Sequence, residues 1–183
     1  MSAARPQGHF IVLEGGDGVG KSTQARLLAE WLAAQGCEVV PTFEPGDTAV
    51  GATLRRILLD PGTGDLAPRA EALIYAADKA QHVHEVVLPA LQRGAVVVSD
   101  RYVDSMLAYQ GAGRVLEPDR LEQIARWATQ HLLPDLTIVL DLDPDRGVAD
   151  IAVKDRLEGA GAEFHARARE FFLDLARRDP DHY

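Results

Sequence analysis

Short runs of apolar, largely β-branched residues alternate along this chain with longer stretches whose apolar positions recur at helical spacing. The runs Phe10–Glu14, Glu38–Thr42, Ala95–Ser99 and Leu136–Asp141 read as strands. Between the first two, Leu27, Leu28, Trp31 and Leu32 fall on one helical face, and Gly36 supplies a C-terminal stop. A helical stretch at about Val50–Leu59 runs into the loop Pro61-Gly62-Thr63-Gly64. Pro68 opens a long apolar-striped segment toward Leu91, with Pro89 kinking its last turns. Pro118 opens a further helix bearing Leu121, Ile124 and Trp127, and Phe164–Leu175 forms the last. Strands separated by helices imply right-handed crossovers and a parallel sheet covered on both faces, so the expected class is α/β with three layers.

Composition narrows the function. The 183 residues have the length of one domain over 1–183. With 46% hydrophobic residues the chain can build a core, and a chain of this length buries roughly two thirds of its unfolded surface. Lys and Arg number 19 against 28 Asp and Glu, a net charge of −9. That balance argues against broad electrostatic binding to nucleic acid or to an anionic membrane. Positive charge for an anionic ligand must be supplied locally, and the only lysines are Lys21, Lys79 and Lys154. The single Cys37 allows no intramolecular disulfide and fits a reducing compartment. No leader-like apolar segment opens the chain and no run of about 18 apolar residues follows, so a soluble, cytoplasmic protein is expected.

The first strand ends in Gly15-Gly16-Asp17-Gly18-Val19-Gly20-Lys21-Ser22, followed by Thr23. This matches G-x-x-x-x-G-K-[ST] between a strand and an amphipathic helix, the context in which that motif cradles phosphates. Its backbone N–H groups and the helix N-terminus would hold phosphate oxygens, Lys21 would reach the β- and γ-phosphates of ATP, and the Ser22 hydroxyl would ligate Mg²⁺. The chain contains no asparagine, which removes the Asn-Lys-x-Asp guanine-reading motif, and no second lysine precedes Lys21 in the loop. A kinase is therefore favoured over a GTPase or a partition-type ATPase. Asp100 and Asp141 both end strands, where open sheets bind ligands. Asp100 is favoured as the metal-side acid because Arg101 follows it, while Asp141 has an alternative role as N-cap of a short helix after Pro144.

Four further blocks carry a resemblance: Glu44-Pro45-Gly46, the run Tyr75 to His82 (YAADKAQH), Asp100-Arg101-Tyr102-x-x-Ser105-x-x-Ala108-Tyr109-Gln110-Gly111, and Asp155-Arg156-Leu157-Glu158. With the P-loop they stand in the order found in bacterial thymidylate kinases, and the chain resembles that family over residues 10 to about 175. The resemblance implies a P-loop kinase fold and transfer of the ATP γ-phosphate to dTMP with Mg²⁺. It also implies that Asp17 faces the sugar 3′-hydroxyl and helps hold Arg101, and that Arg101 binds the dTMP phosphate. It places Tyr75 on the thymine ring, Ser105 and Gln110 near the base, and Tyr109 against the 2′ carbon. Other family members are usually homodimeric, and the stripe from Leu73 toward Val87 could serve an interface or simply the core.

Departures from the family pattern matter as much. Gly18 stands where some members carry a catalytic arginine, so that charge is expected from a lid at about 143–160, with Arg156 ahead of Arg146 and Lys154. Phe43 replaces the arginine usual before Glu44-Pro45-Gly46 and is assigned to packing near the acceptor. Lys79 replaces an arginine that reads the thymine edge, keeping charge but losing the two-pronged geometry. The family continues with another strand and helix where this chain reaches Tyr183, so a C-terminal strand is expected to be missing from the sequence.

Overall fold

The computed structural model describes residues 7–113, 116–142 and 161–183. The four apolar runs are strands: β1 (His9–Gly15), β2 (Val39–Phe43), β3 (Val96–Asp100) and β4 (Leu136–Leu140). They pair in parallel in the order β2-β3-β1-β4. Leu13 of β1 lies level with Asp100 of β3 and Ile138 of β4, so β1 and β3 finish side by side. The helices are α1 (Lys21–Ala34), α2 (Ala49–Leu59), α3 (Pro68–His82), α4 (Leu88–Gln92), α5 (Val103–Met106), α6 (Pro118–Ala128) and α7 (Ala162–Arg178).

Both faces of the sheet are covered, which is why its strands are nearly continuous in apolar residues. Alternation along β1 sends Phe10 and Val12 to one face, where they meet Val83, Val87 and Ala90. Leu13 points the other way and packs with Ala25 of α1. A third cluster joins α3, α6 and α7 through Tyr75, Tyr109, Leu121, Ala125, Phe164 and Phe172.

Two helices turn differently from the expectation raised by their largest side chains. In α1 the buried face is Ala25 and Ala29, with Leu28 and Leu32 packed against the same cluster, whereas Leu27 and Trp31 are 44% and 60% exposed. A short loop ties the start of α1 to the end of β1, so the helix lies close to the sheet and small side chains fit there. In α6, Leu121, Ala125 and Ala128 face inward and Trp127 is 79% exposed.

The segment from Pro68 is interrupted upstream of Pro89, not at it. Between α3 and α4 the helix widens to a π-turn over Val83–Val87, with Val83 and Val87 fully buried. Pro89 has no N–H to return to residue 85, and the preceding turn absorbs the mismatch. At the end of α1, Gly36 adopts φ 87°. Its N–H reaches the Ala33 carbonyl at 3.0 Å and that of Cys37 reaches Leu32 at 3.3 Å, the Schellman arrangement.

The outer strands differ. β2 carries Pro41, which lacks an N–H, on one edge of the sheet. β4 forms the other edge, and the Thr137 N–H donates to the His182 carbonyl at 3.0 Å. Arg146, Lys154, Arg156 and the short helix expected after Pro144 lie outside the described residues. Asp141, at the end of β4, makes a two-pronged pair with Arg169 of α7 at 2.6 and 2.9 Å.

Candidate active site

The ends of β1 and β3, the loop after β2 and the helices above them enclose a cleft of about 880 Å³. The glycine-rich loop from Gly15 to Gly20 forms its floor. Gly15 is needed where β1 presses on β4: its φ is 134°, and a Cβ there would lie 2.2 Å from the Leu140 carbonyl oxygen. The loop delivers the chain into α1, whose N-terminus receives no side-chain cap, leaving backbone donors for an anion. Lys21 is buried against the Gly16 carbonyl. Burial, reinforced by repulsion from Arg101, draws its ammonium down to a pKa of about 7.

Ser22 donates to Asp100 Oδ2 at 2.5 Å, while Asp100 Oδ1 is buried without a hydrogen-bond partner. Next to it, Arg101 adopts φ 75°, unusual for a residue with a Cβ. Its backbone is held by an N–H bond to the Leu13 carbonyl at 2.9 Å and by the Ser99 hydroxyl on its own carbonyl at 2.8 Å. The side chain donates to the Gly15 carbonyl at 3.1 Å and to Ser105 Oγ at 2.9 Å, and pairs with Asp17. Its guanidinium also lies 5.2 Å from the centre of the Tyr109 ring.

Tyr109 donates to the second oxygen of Asp17 at 3.1 Å, and His165 Nδ1 lies 3.7 Å from that same oxygen. Burial opposes ionisation of Asp17, but Arg101 and Lys21 outweigh it and hold the carboxyl below its usual range. The opposite carboxylate, Glu14, is fully buried at the end of β1. It accepts the N–H groups of Tyr102 and Ser105 at 2.8 and 3.1 Å and the Ser105 hydroxyl at 2.5 Å. Burial raises its pKa despite those bonds.

Across the cleft, Glu44 is buried between Lys79 and His82, with His82 Nδ1 at 2.7 Å. Lys79 also donates to the Tyr102 carbonyl at 2.7 Å. His82 Nε2 lies 2.6 Å from Thr42, whose hydroxyl is also 2.5 Å from Asp47. Asp78 accepts the Gly46 N–H at 3.0 Å, and burial together with the Glu44 charge lifts its pKa to about 6. Phe43 is 41% exposed at the mouth, with Arg55 5.8 Å from its ring centre.

A family profile described as thymidylate kinase matches residues 13–183. The chain belongs to the thymidylate kinase family. It is 58% identical over 176 residues to the thymidylate kinase of Cutibacterium acnes, covering 96% of this chain and 86% of that one. To the Clavibacter sepedonicus thymidylate kinase it is 56% identical, covering 96% and 85%. A crystal structure of the thymidylate kinase from Ehrlichia chaffeensis superposes with a TM-score of 0.80 at 31% identity, covering 96% of this chain and 88% of that one.

Of the residues expected at the site of this thymidylate kinase, the cleft brings together Asp17, Gly18, Gly20, Lys21, Ser22 and Thr23 of the loop. It also brings in Phe43, Glu44, Tyr75 and Lys79, then Asp100, Arg101, Ser105, Tyr109 and Gln110. Gly15, Gly16 and Val19 shape the loop behind that wall. Three side chains are already engaged. Lys79 is only 2% exposed and turned toward Glu44 and the Tyr102 carbonyl rather than into the open cleft. Ser105 lies between Glu14 and Arg101. Gln110, 1% exposed, donates to Glu71 Oε1 at 3.1 Å.

Glu14, His82 and His165 escaped the sequence reading as site residues. The signal for Glu14 was a charged residue closing an otherwise apolar strand; for His165 there was none. The donor set at Ser22 and Asp100 fits a hard divalent cation: the Ser22 hydroxyl and Asp100 Oδ2 lie side by side, and the other carboxylate oxygen, Oδ1, has no hydrogen-bond partner.

Proposed function

We propose that this chain is a dTMP kinase, a phosphotransferase that moves the γ-phosphate of ATP to dTMP, giving dTDP and ADP. The observation that carries the reading is the clasp between Asp17, inside the phosphate-binding loop, and Arg101, beside Asp100 at the end of β3. It ties a donor-phosphate loop to a guanidinium suited to an acceptor phosphate, within one cleft.

A phosphate monoester is already largely dianionic near neutral pH, so no strong base is required. Alignment and charge stabilisation must be supplied instead. In this reading the loop amides and Lys21 hold the ATP phosphates, and Arg101 anchors the dTMP phosphate. Asp17 orients Arg101 and meets the 3′-hydroxyl; Tyr75 lies along the base, Gln110 reads its edge and Tyr109 crowds the 2′ carbon. Phe43 and Glu44 frame the acceptor side, with Lys79 supporting Glu44. Ser22 and Asp100 would hold Mg²⁺, which supplies charge neutralisation between the phosphates when bound. The further cation comes from Arg156, or failing it Arg146 or Lys154, in a lid at about 143–160 of a single kinase domain.

We assign the protein to the cytoplasm, in keeping with the lack, among the described residues, of any helix long and apolar enough to cross a membrane. Its partners are dTMP, ATP and a second copy of the chain, with no role for nucleic acid or membrane. The test is coupled ADP formation from ATP and Mg²⁺ with dTMP, dUMP, dCMP, dGMP or thymidine as acceptor. The expected result is rapid turnover with dTMP. Preference for another acceptor, or ADP release independent of any acceptor, would overturn the assignment.

A further inference from the structure

The proposed function leaves the buried charge of Glu14 without a task. Glu14 is a carboxylate at 0% exposure, three residues before Asp17, and its side chain accepts from Tyr102 and Ser105, in the turn after β3. Burying a carboxylate is costly, so a position of this kind holds something that would otherwise move. What its partners adjoin is Arg101, in a left-handed backbone conformation at φ 75°.

The route from Glu14 to Arg101 runs through one hydroxyl. Ser105 Oγ has a single proton, and at 2.5 Å it is directed to Glu14 Oε2. With that proton committed, an oxygen lone pair of Ser105 faces Arg101, whose guanidinium donates to it at 2.9 Å. Meanwhile Glu14 Oε1 draws in the Tyr102 and Ser105 N–H groups, fixing the turn that follows Arg101. The carboxylate thus controls both the backbone after the arginine and the orientation of the group that receives it.

From this we infer that Glu14 is a positioning residue for the proposed phosphate transfer, acting through Ser105 to aim the Arg101 guanidinium at the acceptor phosphate. Ser105 is then a relay and not a reader of the base. The inference rests on the proposed role of Arg101 and adds a residue that touches neither nucleotide.

Glu14→Gln is the discriminating variant. Its amide oxygen can still accept the two backbone N–H groups, preserving the turn. Its NH₂ must then face Ser105 Oγ, which receives two donors and loses the outlet for its own proton. The expected result is a rise in the dTMP KM of about tenfold or more with a fall in kcat, while the ATP KM stays within about twofold. Losses should be the same for dTMP and dUMP, because the phosphate anchor is shared. Ser105→Ala should behave alike, Ser105→Thr should recover most of the loss, and Glu14→Gln with Ser105→Ala should be no worse than the poorer single variant.

Unchanged dTMP kinetics in folded Glu14→Gln, a shifted dTMP-to-dUMP ratio in Ser105→Ala, or multiplicative losses in the double variant would overturn the inference. If Glu14→Gln fails to fold, the Ser105 pair carries the test. Calorimetric binding of dTMP to the unaltered protein and each variant separates this idea from the assigned reaction. A protein that binds dTMP without turnover refutes the reaction, and the variants are then judged on the same tenfold loss of affinity.

Discussion

Lys21 and Arg101 concentrate positive charge in the cleft of a chain whose net charge is −9, and Asp17 stands close to both. Replacing Lys21 by Ala removes a cation that the proposed reaction needs most in its transition state. Turnover with dTMP should fall by on the order of 10²-fold or more while the melting temperature is kept; steady-state kinetics beside thermal unfolding checks both. Away from the cleft, Asp104 accepts from the Tyr183 hydroxyl at 2.8 Å, and burial with the nearby Glu14 charge pushes its pKa up to about 7. The folded protein therefore holds this proton more tightly than the unfolded chain, whose Asp titrates near 4. Stability should fall as pH rises from about 4 to about 7, and Asp104→Asn should flatten that decline in denaturant titrations.

Asp17, Lys21 and Arg101 were legible as one site because glycine spacing and motif order carry information without coordinates. Glu14 was not, since nothing in a strand sequence says that its last acid will be met by the N–H groups of residues 102 and 105. Lys79 shows the same limit: its charge was visible, but its burial against Glu44 follows only from how α3 lies over the loop after β2.

At the level of elements, the strands followed from apolar runs to within a residue or so, because a sheet covered on both faces admits little else. Helix orientation was harder to read. Large side chains drew attention to Trp31 and Trp127, yet α1 and α6 turn alanines inward. Close approach rewards small residues, and only the assembled layers reveal how close that approach is. The Schellman end of α1 was readable because Gly36 sits directly after the apolar face. Gly36→Ala would force a Cβ into a left-handed conformation with no steric neighbour to worsen it. The cost should be about 1 kcal/mol, lowering the melting temperature by roughly 2–4 °C, with kinetics unchanged.

For the molecule as a whole, the stripe beginning at Leu73 divides. Val83 and Val87 belong to the core, whereas Leu73 is 56% exposed on α3 and Trp127 is 79% exposed on α6, which packs with α3 in the same cluster. Large apolar side chains left on neighbouring helices support the proposed homodimer. Sedimentation should report twice the monomer mass, and Leu73→Asp with Trp127→Asp should return the monomer; a monomeric unaltered chain would refute the pairing.

The two margins of the sheet also make the molecule unequal in a way that matters at high concentration. Pro41 blunts β2, but Leu-Thr-Ile-Val-Leu along β4 holds neither proline nor charge, and Leu136 is 40% exposed. That margin is guarded instead by the C-terminal residues, whose His182 carbonyl takes the outward Thr137 N–H at 3.0 Å and whose Tyr183 hydroxyl reaches Asp104 at 2.8 Å. Tyr183→Phe, which releases that terminal turn from Asp104, should therefore raise thioflavin-positive material during heating while the dTMP kinetics stay unchanged.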